Sequence, residues 1–357
     1  MSMLQWYAGK TTRQIIEKEG LQPNHIRWII GAAGGPKWLL LSKLDQALFG
    51  EWLKDVQHPV HLTGGSIASW RLAAACQKDP AAATRRLQQH YIHQYYDEKP
   101  SPAKVSQVSR GIVEKMLGEN GTEELLSHPF FRHNVISVRS RHLLGTDKKP
   151  FLAPMLGVAA SANVLHPLTM SAFFERFIFH HPDSDFPLKF ANRIPTRKIP
   201  LTKENVLKAL LSSGSIPLVL KGVRDIPGAS KGTYHDGGIT DYHMECDFET
   251  EDGIVLYPHF MERIIPGWFD KFLPCRKPRK ENLHNMLLLA PSPEFVAKLP
   301  NQKITDRDDF YAYEQDERIR IWEDVAAAGQ ALADEFVDSV TKQNVAENLK
   351  PLEDLGR

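Results

Sequence analysis

The chain has 357 residues, with 44 Lys and Arg against 43 Asp and Glu and a formal net charge of +1. A balance this even argues against a nucleic-acid binder held by bulk charge, and 42% hydrophobic with 24% charged residues argues against a disordered chain. Its length fits one large α/β domain or two smaller ones.

Residues 1–14 carry Trp6, Lys10 and Arg13 without the apolar core of a secretory signal, so this segment is expected to stay on the mature protein. Residues 25–31, H-I-R-W-I-I-G, form a short apolar run ending in glycine, the pattern of a strand entering a tight turn. After it, Trp38, Leu39, Leu41, Leu44, Leu48 and Phe49 recur at helical spacing. A second unit repeats the plan: residues 59–63 are extended, Gly64 and Gly65 turn the chain, and residues 67–76 are rich in helix formers. Two successive units of this kind imply a parallel sheet covered by helices.

Residues 81–128 read as polar helices forming an insertion or cap, with a thin apolar face of Tyr91, Tyr95, Val108, Ile112 and Leu117. Residues 135–138 suit another strand. The longest run without formal charge, 150–174, is interrupted by Pro150, Pro154, Asn163, His166 and Pro167, which suggests a buried α/β segment and not a membrane span. Residues 174–179 alternate loosely as a strand, and 204–211 suit a helix leading into Ser212-Ser213-Gly214-Ser215-Ile216-Pro217. Further strands are expected at 254–257 and 286–289. Trp322, Val325, Gly329, Leu332, Phe336 and Val340 step by three or four, the pattern of one long amphipathic helix. From residue 342 the periodicity fades and the tail has no assignment. The expected organisation is one α/β domain over 1–345, with 81–128 inserted and a tail at 346–357. Cys76, Cys246 and Cys275 are widely spaced with no C-x-x-C pair, so neither a disulfide framework nor a thiolate zinc site is expected, and a reducing, cytoplasmic setting is.

Three places carry candidate chemistry. Ser66, in Gly64-Gly65-Ser66-Ile67-Ala68, follows a strand and opens a helix, the context of a nucleophile elbow with alanine in place of the second glycine. Small neighbours let the backbone hold such a serine in a strained turn. The same residues also suit a plain serine N-cap. Upstream, Gly31-Ala32-Ala33-Gly34-Gly35-Pro36-Lys37 departs from a P-loop, which needs glycine before the lysine and a hydroxyl after it. As an oxyanion hole it would use the amides of Gly34 and Gly35, since Pro36 has none. A tight turn without ligand is the other reading. Asp236, in His235-Asp236-Gly237-Gly238, is either an acid–base group or an ordinary Asp-Gly turn. His235, Asp236, Asp241 and His243 match no metal-ligand spacing, so no metal and no cofactor is expected.

Glycine loop, G-x-S-x-small elbow, the Ser212 to Pro217 segment and Asp-Gly-Gly occur in the order found in patatin-like phospholipases, and the chain resembles that family from about residue 25 to about residue 239. Ala33, Trp38 and Ala68 depart from the family pattern and mark a divergent member. The resemblance implies a three-layer α/β/α fold with a mostly parallel sheet and a Ser66–Asp236 dyad in place of a Ser-His-Asp triad. It also implies an oxyanion hole at Gly34 and Gly35, supported by Lys37, Gly64 and Gly237. Composition alone leaves a triad open, His235 and His61 lying nearest the motifs. The expected function is lipid acyl hydrolysis through an acyl-enzyme. Acyl transfer by the same dyad and lipid binding without catalysis are the alternatives. The expected partners are a lipid or acyl-ester substrate and, peripherally, a membrane, since residues 263–280 place Arg263, Lys271, Arg276, Lys277, Arg279 and Lys280 beside Trp268, Phe269, Phe272 and Leu273. A buried connection with a solvated basic loop is the competing reading of that segment.

Overall fold

The computed structural model describes residues 2–355 apart from Asp97, Asp185, Lys189, Ala191 and residues 249–252. Its strands are, in chain order, β1 (Leu4–Ala8), β2 (Ile26–Gly31), β3 (Val60–Gly65), β4 (Phe131–Ser140), β5 (Phe174–His180), β6 (Thr196–Pro200), β7 (Val223–Arg224), β8 (Thr233–Asp236), β9 (Ile254–Pro258), β10 (Met286–Pro291) and β11 (Leu349–Pro351). They join in one sheet of order β11-β1-β10-β9-β2-β3-β4-β5-β6, with β8 added on β4 and β7 on β8. The centre, from β10 through β9, β2 and β3 to β4, is parallel. β1 and β5 flank it antiparallel. Every residue of β9 and β10 is buried, as a strand covered on both faces requires. The chain is therefore an α/β protein with a mostly parallel central sheet flanked by helices.

The two units seen in the sequence are adjacent strands: Gly31 of β2 pairs in register with Gly64 of β3, so the glycine loop and the Ser66 turn leave the same end of the sheet side by side. In open parallel sheets that end is where ligands bind. Three helices, Pro80–Ile92, Pro102–Leu117 and Gly121–Leu126, occupy the 81–128 region. Their apolar face is broader than the sequence suggests, because Ala83, Leu87, Val113, Met116 and Leu125 are buried beside Ile112 and Leu117, while Tyr95 stays exposed.

Several elements differ from expectation. The C-terminal amphipathic run is two helices, Gln315–Ala328 and Gln330–Thr341, separated at Gly329, where a side chain would run into the Leu40 carbonyl. β1, β6, β7, β8 and β11 have no counterpart among the expected strands, and Asp236 ends β8 where the sequence suggests only a turn. β11, in the tail, pairs with β1 over three residues. The expected buried segment at 150–174 is instead a helix, Lys149–Leu165, with its 3-10 and helical continuation. One stripe of it, Leu152, Leu156, Ala159 and Asn163, packs inward, while Phe151, Val158, Val164 and Leu165 face outward. Prolines do not prevent the helix: Pro150 lies in the first turn, where its missing N–H costs nothing, and only Pro154 removes an internal hydrogen bond.

Candidate active site

Ser66 follows β3 and caps the helix Ile67–Ala75 with φ 57° and ψ −138°, a strained backbone for a residue carrying a Cβ. The turn is tight because its neighbours are small. A Cβ on Gly31 or on Gly64 would lie 2.6 or 2.7 Å from the Ala68 Cβ. Those two glycines make room for Ala68, so alanine substitutes for the usual second glycine without opening the elbow. A Cβ on Gly65 would approach the backbone of Gly237 and Gly238 at 3.0 Å, which fixes the elbow against the Asp-Gly-Gly turn.

The sheet register brings the third candidate to the first. β3 covers one edge of β4 as far as Ile136, paired with Gly65. From Ser137 onward β8 takes over that edge, and Ser137 pairs with Asp236. Asp236 thereby sits beside Ser66, whose Oγ donates to Asp236 Oδ2 at 2.7 Å. The other carboxylate oxygen accepts from the Gly238 N–H at 2.7 Å, which sets the carboxyl plane. Burial pushes the Asp236 carboxyl up from 3.8 to about 6, against the opposing pull of the hydrogen bonds from Ser66 and Gly238.

No histidine hydrogen-bonds Ser66 or Asp236 among the described residues. His235, adjacent in sequence, points to the other side of its strand, where Nδ1 meets Ser140 Oγ at 2.8 Å. His61 stacks on Trp28 with ring centroids 4.2 Å apart. Asp241 is held by a bidentate pair with Arg176, at 2.7 and 2.9 Å, fully buried.

Gly34 and Gly35 lie where the chain enters a 3-10 helix, Gly35–Leu41, so their amides belong to the first turn and have no intrahelical partner. Gly35 has φ 57°, a conformation that favours glycine, whereas Gly34 is extended and its hydrogen faces the Phe260 ring, where a Cβ would come within 2.5 Å. Both line one cavity of 190 Å3 with Ser66, Asp236 and Lys37. Lys37 Nζ is 3.9 Å from Asp306, and burial lowers its pKa.

The segment from Ser212 to Pro217 supports both candidate groups, a role its sequence does not reveal. Ser213 accepts the Ser66 N–H through its carbonyl (2.9 Å) and through Oγ (3.0 Å), and Oγ itself donates to the Ile136 carbonyl at 2.5 Å. Two residues on, the Ser215 carbonyl accepts the Asp236 N–H at 3.0 Å. One short segment thus positions the backbone of both residues. Sequence reasoning also missed Arg307, Tyr242 and the part Lys271 plays here, because single residues in loops carry no spacing signal. Lys271 lines the cavity with Arg307 and lies 4.1 Å over the Tyr242 ring. Burial, helped by Arg307 and Lys37, pushes its ammonium down to about 8.

On the other side of Ser66 a larger, mainly apolar cavity of 460 Å3 runs under the inserted helices, lined by Ile67, Trp70, Tyr91, Val105, Ile112, Ile216 and Leu220. Ser66, Gly35, Ile216 and Arg307 belong to the walls of both cavities.

No family model and no curated protein matches the chain. Among solved structures it is similar to VipD from Legionella pneumophila (11% identity, TM-score 0.31, covering 72% of this chain and 53% of that one). It is also similar to human GIVD cytosolic phospholipase A2 (10% identity, TM-score 0.39, 95% and 63%) and to the same enzyme with a methyl γ-linolenyl fluorophosphonate inhibitor and terbium chloride (10%, 0.35, 94% and 62%). The chain spans 53% to 63% of the length of these proteins, and the likeness extends to the α/β architecture alone.

Proposed function

We propose that the chain is a serine acyl hydrolase of the patatin-like kind, acting on lipid esters through an acyl-enzyme. The observation that carries this reading is the 2.7 Å hydrogen bond from Ser66 Oγ to a buried Asp236, set on a strained elbow at the meeting point of a small cavity lined by charged side chains and a larger apolar one. As Oγ attacks the ester carbonyl, Asp236 takes the hydroxyl proton, and the amides of Gly34 and Gly35 face the oxygen that becomes negative. Asp236 then gives the proton to the departing alcohol, leaving the acyl group on Ser66. Water enters, loses a proton to Asp236 and releases the fatty acid, and Ser66 recovers its proton.

The larger cavity, mainly apolar and sharing Ser66 in its wall, suits the acyl chain. The smaller cavity, with Lys37, Lys271 and Arg307 beside Asp306 and Asp308, then receives the alcohol part of the ester. A substrate of this kind is presented by a membrane or micelle, so peripheral membrane contact belongs to the proposal. Fluorophosphonate labelling tests it: a probe should attach to Ser66 in folded wild type and not in Ser66→Ala, and Asp236→Asn should abolish turnover of a p-nitrophenyl ester. Absence of label on folded wild-type protein would replace the hydrolase with a lipid-binding protein.

A further inference from the structure

A helix on the surface of a water-soluble domain normally buries one stripe and presents charged or polar residues on the other. The helix Lys149–Leu165 does not. Its inward stripe is apolar as far as Asn163, and the outward stripe runs Phe151, Pro154, Val158, Ser161 and Leu165, with no acidic residue from Lys148 to Phe174 and no basic one after Lys149 except His166, just past the helix's end. Phe151 is 51% exposed, Val158 52% and Leu165 84%. At the helix's end the patch continues onto a second element. Asn163 donates to Asp270 at 2.7 Å, and Arg276 donates to the Asn163 carbonyl at 2.8 Å, which fastens the 3-10 turn Trp268–Phe272 to the helix. Phe272, the last residue of that turn, is 90% exposed.

We propose that this two-part face docks the protein on an anionic lipid surface. Charge decides the occupant. The apolar stripe is bounded by Lys148 and Lys149, next to Asp147, at one end and by exposed Lys277, Arg279 and Lys280, next to Glu281, at the other, so that cations outnumber acids there five to two. An apolar strip framed by cations matches acyl chains beneath anionic headgroups. Position agrees with charge: Trp268 and Lys271 of the same turn line the cavity that contains Ser66, so docking there puts the cavity mouth against the lipid. No described helix is long and apolar enough to cross a membrane, so the face lies on the surface and does not span it. The proposal deepens the hydrolase reading by naming the surface that presents its substrate, and rests on that reading only for the supposition that the substrate is a lipid.

Flotation with vesicles of phosphatidylcholine alone, or mixed with phosphatidylglycerol, tests it. Wild type and Ser66→Ala should float with the mixed vesicles and far less with the neutral ones. Leu165→Glu combined with Phe272→Glu should lower that binding about tenfold or more, and Lys277→Gln with Arg279→Gln and Lys280→Gln should erase the preference for anionic vesicles. Leu165 and Phe272 are exposed, so thermal unfolding of the double variant should match wild type; should it not, Leu165→Gln with Phe272→Gln takes its place. Turnover of a soluble short-chain ester should be unchanged by the Leu165 and Phe272 substitutions, while turnover of vesicle lipid falls with binding. Wild type that floats with neither vesicle, or a double variant that floats like wild type, overturns the proposal. So does a wild-type dimer in sedimentation that the double variant dissolves without any vesicle binding. Flotation without turnover of any ester leaves the docking face standing and removes the hydrolase; turnover of soluble ester without flotation does the reverse.

Discussion

A carboxylate in water, with a pKa near 3.9, is a poor acceptor for a serine proton, and at Asp236 burial lifts the group to about 6. Two measurable consequences follow from the one shift. The proposed base works only when ionised, so kcat/KM for a soluble ester should rise with pH through about 6 and level off above it; a profile flat from pH 5 to 8 would remove Asp236 from the proton transfer. The second concerns stability. Because the folded pKa lies above the unfolded one, the folded state keeps a proton the unfolded chain has already lost. The group's favourable contribution is complete below pH 3.8 and disappears as pH rises through about 6, leaving a buried charge at neutral pH. Asp236→Asn should therefore be inactive and yet more stable than wild type at pH 8, by at most on the order of 3 kcal/mol, with the gain vanishing near pH 4 in urea titrations. The strain at Ser66 belongs to the same pattern, in which the residues proposed for chemistry are those held at a cost to the fold.

Among the elements, the glycine loop makes the sharpest demand on backbone. Gly35→Val leaves room for the new Cβ, whose nearest neighbour would be the Tyr91 hydroxyl at 3.9 Å, but it forbids φ 57° and so turns the amide away. kcat should fall by roughly 10²-fold or more with little change in KM, the size of losing one oxyanion donor; an effect on KM alone would confine the loop to binding. In the inserted helices, Val105→Phe should narrow the apolar cavity and lower turnover of long-chain esters relative to butyrate, and an unchanged chain-length profile would move the acyl site elsewhere. The β2 and β3 units were legible in the sequence because each is local: an apolar run, glycine and a helical period within about thirty residues. The Ser213 contact to Ser66 was not, since it joins residues 147 apart and a serine among serines carries no periodicity. The helix at Lys149–Leu165 escapes the sequence pattern for a different reason. A chain apolar on both faces shows no amphipathic period, so its outward stripe could not be told from a core.

At the scale of the whole molecule, the turn Trp268–Phe272 joins the proposed docking face to the cavity that contains Ser66, through Trp268 and Lys271 on one side and the Asp270–Asn163 bond on the other. β3 and β8 meet end to end along a single edge of β4, with Gly65 against Gly237, and the Ser66–Asp236 pair spans the seam between them. β3 is a central strand with partners on both sides, whereas β8 is four residues long and, among the described residues, its other neighbour is β7, which has two. A shift of β8 by one residue along β4 would carry Asp236 about 3.3 Å away and turn it to the opposite face, while the rest of the sheet stayed paired. The site should thus be the first thing lost in mild denaturant: ester turnover should fail at a lower urea concentration than far-UV circular dichroism, with the Trp fluorescence of the sheet following the latter. Coincident midpoints would mean that β8 unfolds with the core. If the midpoints separate, turnover becomes a gauge of one short strand's seating, and variants that lengthen the β7–β8 ladder should hold activity into higher urea without shifting the unfolding of the remaining sheet.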